Sequence, residues 1–249
     1  MIRLDGTSLT APLLARIAAL TPEHPGTAHE QHRALAQGGK IRWTQWSDRA
    51  YFDAQGQLTH VQSVGEDITE QKRNRDVRAA RMRLMEYSIS HSVHELLVAT
   101  LDEVCALTES PIGFYHYLEA DQRTLSLQAW STRTAREYCK AEGEGRHYDL
   151  EAAGVWGDAI RPRQPVIHND YATLDNKKGL PAGHAALIRE MVVPVFRKGL
   201  IVAILGVGNK GSHYTEDDVQ TVALLADLAW DFADAKRLET QLMEMATTD

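Results

Sequence analysis

The chain has 249 residues, of which 43% are apolar, enough to bury the core of one large domain or two small ones. A net charge of -7 and a pI near 5.9 argue against non-specific binding to nucleic acid or an anionic membrane, since both need a cationic field. No apolar run approaches the ~20 residues of a bilayer span and the first residues lack a signal-type apolar core, so a cytoplasmic chain with reduced Cys105 and Cys139 is expected.

Leu9, Leu13, Leu14, Ile17, Ala18 and Leu20 fall at helical spacing, with Pro12 suited to a first turn, and predict a short helix ahead of the turn TPEHPG. Three strands follow over Ala28–Ala36, Ile41–Phe52 and Leu58–Asp67, separated by GGK and DAQGQ. The middle strand carries Trp43 and Trp46 on opposite faces, as in a sheet with one face packed and the other partly covered. Exposure of Trp43, Val61 or Val64 would predict association with a second chain.

The stretch RWTQWSDRAYFDAQGQLTHVQSVGEDITEQ resembles the last two strands of a PAS domain and the DIT-E-K motif through which such domains exit into a signalling helix. The resemblance implies a partial PAS domain over residues 1–68, either cut short or completed by a second chain. The helices that wall the usual cofactor pocket are missing, so neither haem nor flavin is expected there.

Thr69–Ser90 contains no Gly or Pro and carries a narrow apolar stripe of Val77, Ala80, Leu84 and Tyr87. A seam that narrow predicts a helix over 69–90 paired in a parallel dimeric coiled coil, with a solvated connector as the alternative. From Ser92 the stripe widens to Leu96, Leu97, Thr100, Leu101, Val104 and Leu107, the pattern of a core-facing helix, with Cys105 a small buried residue. Hairpins are predicted from Ile112–Leu118 with Leu125–Ser131, and from Met191–Phe196 with Leu200–Val207 through Arg197, Lys198 and Gly199. A long irregular loop and a helix around Gly154–Arg161 lie between them. The last helix, Thr215–Met245, opens on a cap-like TEDD and runs past what a domain core needs.

Over residues 85–240 this order, with WST, GVW, PVIHNDY, KGLP-GH, VVPV and ILGVGNK, resembles a GAF domain of the kind found between PAS modules and output domains in bacterial histidine kinases and diguanylate cyclases. The resemblance implies an α+β fold, an antiparallel sheet flanked by helices, preceded by the partial PAS sheet and joined to long signalling helices. The expected domains are 1–68, a helix over 69–90, a GAF domain over 91–238 and a linker over 239–249. The final MATTD looks like the lead-in to a GGDEF-type domain whose catalytic signature the chain lacks, so the fragment is expected to be a non-enzymatic sensor. The expected partners are a small-molecule ligand, a second copy and an output domain, with a diguanylate cyclase or histidine kinase as parent.

In a GAF fold the pocket lies between the sheet and the loops that cross it. The resemblance therefore offers Tyr115, Trp130, Trp156, Tyr171 and His184 as walls, and His168, Asn169, Asp170 and Arg189 as polar anchors. Arg189 favours a carboxylate or phosphate, because its guanidinium donates two parallel bonds. Plain core packing stands beside each aromatic taken singly. Asn209, Lys210, Tyr214 and Asp218 partly match the N-K-F-D-E motif of cyclic-nucleotide GAF domains, but Val219 stands where the final acid belongs, and a structural Lys210–Asp218 ion pair is the favoured reading. His168 and His184 with Asp170 or Cys139 lack H-x-x-x-H or C-x-x-C spacing, so hydrogen-bonded structural histidines are favoured over a metal site. No bilin is expected, because Cys139 is followed by Lys140. A ligand-free dimerisation scaffold and a redox enzyme built on Cys139 are the rival readings.

Overall fold

The computed structural model of the protein describes residues 10–26, 30–35, 41–138, 147–150, 153–175 and 186–247, in two compact units divided after Asp76. The first unit holds α1 (Thr10–Ala18) and an antiparallel sheet in the order β1 (Glu30–Leu35), β2 (Ile41–Phe52), β3 (Leu58–Asp67). The side chain of Asp48, on β2, is fully buried. Arg16 of α1 reaches it at 2.7 Å and Ser63 of β3 donates to it at 2.6 Å, so the charge is paired and hydrogen-bonded as burial demands. β3 is exposed along nearly its whole length, with Val64 at 55%, leaving the kind of apolar surface that invites association.

The Asp67-Ile68-Thr69 motif has a local physical explanation. Asp67 accepts the Thr69 backbone N–H at 3.0 Å, Thr69 Oγ1 accepts the Trp43 N–H at 2.8 Å, and Ile68 is buried. The three residues thus stitch the end of β3 to β2 as α2 (Thr69–Ser90) begins, and Lys72 lies 3.5 Å over the Trp43 ring.

From Val77 onward α2 belongs to the second unit, and here the structure corrects the coiled-coil expectation. Ala80 and Leu84 are buried in a core shared with α3 (Val93–Thr108) and α4 (Glu216–Thr247), so the narrow stripe is used within the chain. A stripe shows that a helix has a partner without saying which. The exposed apolar residues of α2 are Met82, Met85 and Ile89, on another side of the helix. α3 starts in a complete capping box, Ser92 Oγ accepting the Glu95 N–H while the Glu95 carboxylate accepts the Ser92 N–H at 2.8 Å.

Among the described residues the second unit's sheet has six strands in the order β6 (His147–Asp149), β5 (Thr124–Trp130), β4 (Ile112–Leu118), β9 (Leu200–Gly208), β8 (Glu190–Arg197), β7 (Val166–His168), with every neighbour antiparallel. It is the α+β arrangement expected, an antiparallel sheet flanked by helices. β8 and β9 join through Lys198 and Gly199, both at positive φ, the two-residue turn whose twist suits a tight hairpin. The helix expected around Gly154–Arg161 is instead one 3-10 turn, Val155–Gly157, followed by irregular turns. Gly154 and Gly157 favour no helix, and Arg163 at positive φ closes the turns, its N–H donating to the Ile160 carbonyl at 3.3 Å.

Strand alternation divides the core. Tyr115, Ala129, Met191, Val193, Leu205 and Val207 face the helices. Phe114, Leu127, Val192 and Ile204 face the other way, under Leu150, Ala153, Ala159 and Ile160. This second, turn-covered face carries the candidate site.

Candidate functional site

Trp130 from β5 and Trp156 from the 3-10 turn pack half-buried against the turn-covered core. Phe114 stands edge-on to Trp130 with ring centroids 6.1 Å apart and edge-on to His116 at 5.4 Å, its own ring lying over Gly206 of β9. His116 is almost wholly buried, and that burial pushes its pKa down to about 3, so it is a neutral imidazole at physiological pH.

The polar part of the face is built around His168. Its Nδ1 lies 3.0 Å from Glu190, its directly opposed neighbour on β8, and its Nε2 lies 3.7 Å from Asp158, one residue past the 3-10 turn. Glu190 is 1% exposed. Its carboxyl is pushed up by burial, and the Glu190 partnership raises His168. Arg161 stands 3.6 Å from Asp158, completing a chain of alternating charge. Sequence reading missed Glu190, Asp158 and His116. The available signal was Glu190 itself, an ionisable residue opening the apolar run EMVVPV, since such a residue needs a buried partner.

The other expected site residues divide. Tyr171 lies beside this cluster, its N–H donating to the Ile188 carbonyl at 2.9 Å and its phenol raised by burial and by the charge of Glu190. Asn169 is occupied by backbone, accepting the Tyr214 N–H at 2.7 Å and donating to the Tyr214 carbonyl at 3.1 Å. Asp170 caps the short turn Tyr171–Thr173 through the Ala172 N–H. Two residues do not join the face. Tyr115 is fully buried on the helix side, because it alternates with Phe114, and Arg189 donates to the Lys210 carbonyl at 2.6 Å, one position out of phase with Glu190. That contact occupies one N–H of the Arg189 guanidinium, whose buried Nε has no hydrogen-bond partner among the described residues. His184 and Cys139 lie outside the described residues. Cys105 is described, and burial pushes its thiol up to about 12, too high to supply a thiolate nucleophile.

The partial cyclic-nucleotide motif resolves into a clamp. Lys210 Nζ meets both carboxylate oxygens of Asp218, at 2.7 and 2.8 Å, and Asp218 also accepts the Thr215 N–H, capping α4. Lys210→Ala is expected to cost about 1–3 kcal/mol of stability, because it leaves a mostly buried carboxylate short of its charged donor. Urea denaturation of the second unit measures it.

Residues 90–233 match the family model described as GAF domain. A methyl sulfide methyltransferase-associated sensor from Methanosarcina acetivorans is 35% identical over 216 residues, which cover 84% of this chain and 21% of that protein, so the chain spans about a fifth of the relative's length. Among solved structures, the GAF domain of an Acinetobacter phosphoenolpyruvate-protein phosphotransferase has a TM-score of 0.54 at 18% identity, covering 67% of this chain and 95% of that one. The free methionine-R-sulfoxide reductase from Neisseria meningitidis, solved with its substrate, gives 0.50 at 16% identity over 66% of this chain and 91% of that one. At such identities the likeness shows the fold alone. Since the family model covers more than half of the residues, the chain belongs to the GAF domain family.

Proposed function

We propose that the protein is a sensory module in which the turn-covered face of the GAF sheet binds a small ligand and helices carry the result to an output domain. The observation that carries this reading is the grouping of half-buried Trp130 and Trp156 with His168, Glu190 and Asp158 on one face. Aromatic walls with a few convergent polar groups are the ordinary makeup of a small-molecule site. The name of the Methanosarcina relative, a sensor, supports the same role. On this reading the first unit is the end of a PAS domain, and the output is a diguanylate cyclase or a histidine kinase.

The helices are also the proposed dimer contact. Along α4, Leu224, Leu228, Asp231, Ala235, Leu238, Leu242 and Met245 recur at alternating steps of four and three, a seam of coiled-coil period. Leu238, Leu242 and Met245 are 53%, 67% and 70% exposed. Met82, Met85 and Ile89 give α2 a second outward apolar strip.

A thermal-shift screen of small metabolites tests the ligand. A hit whose affinity falls at least ~10-fold in Trp156→Ala, and is unchanged in Tyr115→Phe on the opposite face, supports the site. A screen without hits, with Trp130→Ala and Trp156→Ala behaving only as core deletions, favours the ligand-free scaffold instead.

A further inference from the structure

We propose that the His168–Glu190 contact is a proton-operated latch on strand β7, and that Asn169 passes its state to the first turn of α4. The latch goes beyond ligand sensing and needs no ligand, so it stands or falls independently of the metabolite screen.

Among the described residues β7 is one of the sheet's two edge strands, and only three of its residues pair with β8. His168 and Glu190 form the last of those pairs. A strand with so few ladder bonds depends on its side-chain ties, and the His168–Glu190 contact at 3.0 Å is one of them. With the imidazolium present, the buried Glu190 carboxylate has its counter-charge. Once the proton leaves, a carboxylate only 1% exposed faces a neutral ring with Asp158 on the ring's far side. β7 is the element able to yield and admit water. Among the described residues, the charged groups facing the imidazole are Glu190 from β8 and Asp158 from the turn, with Arg161 on Asp158, and the raised Tyr171 phenol stays neutral.

His168 is held above its ordinary value by Glu190, and Glu190 is pushed up by burial, so both favour retention of the proton by the pair. A group raised in the folded state contributes stability that is fully present below its unfolded value, about 6.5 for an imidazole, and lost as pH rises through the folded value. The latch is therefore closed in mild acid and opens on the alkaline side of an ordinary histidine. The next residue, Asn169, holds the backbone of Tyr214 at both its N–H and its carbonyl, two residues before α4 begins. Asp218 fixes the neighbouring Thr215. Loosening of β7 thus reaches the first turn of α4 through one side chain.

The test is hydrogen exchange of the full chain between about pH 5.5 and about pH 8.5, corrected for intrinsic exchange, beside NMR titration of the His168 ring. The expected ring midpoint lies above the ordinary imidazole value, and exchange over residues 169–174 and 214–218 rises several-fold together as that midpoint is passed. His168→Gln, which keeps a hydrogen-bonding amide but cannot be protonated, should flatten both responses. Asn169→Ala should keep the response over residues 170–174 and abolish it at the start of α4. A ring midpoint at or below the ordinary value, or pH-independent exchange in the unaltered protein, overturns the latch and needs no variant to fold. A response at α4 that persists in Asn169→Ala overturns the link.

Discussion

Leu84→Ala is expected to destabilise the second unit by about 2–5 kcal/mol, and by the same amount at every protein concentration. Leu84 is 2% exposed and packs in the core that α3 and α4 share, so truncation removes methyl groups from a filled interior and leaves a cavity. If the Val77–Tyr87 stripe were instead the seam of a dimer, the loss would depend on concentration, vanishing where both forms are monomeric and growing to a plateau as they associate, because association shifts stability by mass action. Thermal unfolding at two concentrations at least ~100-fold apart separates the two cases. The complementary variant, Leu238→Glu with Leu242→Glu, should act the other way. Both residues are more than half exposed, so folding is expected to persist while sedimentation shifts from dimer toward monomer. A monomer in the unaltered chain would remove the basis for helix-borne transmission.

The contrast between those residues shows what the sequence made legible. Helix and strand periodicity placed most of the second unit's elements within a residue or two, since Leu96, Leu101, Val193 and Leu205 repeat with the period of the element they belong to. Periodicity also gave each apolar stripe without its partner, which is why Ala80 and Leu84 read as an outward seam. The short elements escaped altogether: β6 and β7 have three residues each, too few for any period. For the site, Trp130, Trp156, His168 and Tyr171 could be found as a chemically rich set near the right strands. Their sorting by face could not, because it depends on whether a strand begins at Glu190 or Arg189. That single position separates a buried partner for His168 from a guanidinium tied to the Lys210 carbonyl.

Gly206→Ala is expected to cost about 3 kcal/mol, toward the upper end of what overpacking usually costs, although it adds only one methyl group. A Cβ built at Gly206 overlaps the Phe114 ring, which lies directly across the β4–β9 ladder. Phe114 is 7% exposed and stands edge-on to both Trp130 and His116, so it cannot swing aside without displacing one of them. The strain would fall on the site itself. Alongside a lower urea midpoint with an unchanged slope, near-UV dichroism should report an altered tryptophan environment. Phe114→Leu in the Gly206→Ala background should recover part of the loss, with a coupling energy of about 1 kcal/mol or more across the cycle. Additive losses would mean that the ring and the glycine are independent and that the face is looser than its packing indicates. Strong coupling would identify the Phe114–Gly206 pair as the rigid floor against which the Trp130 wall is set.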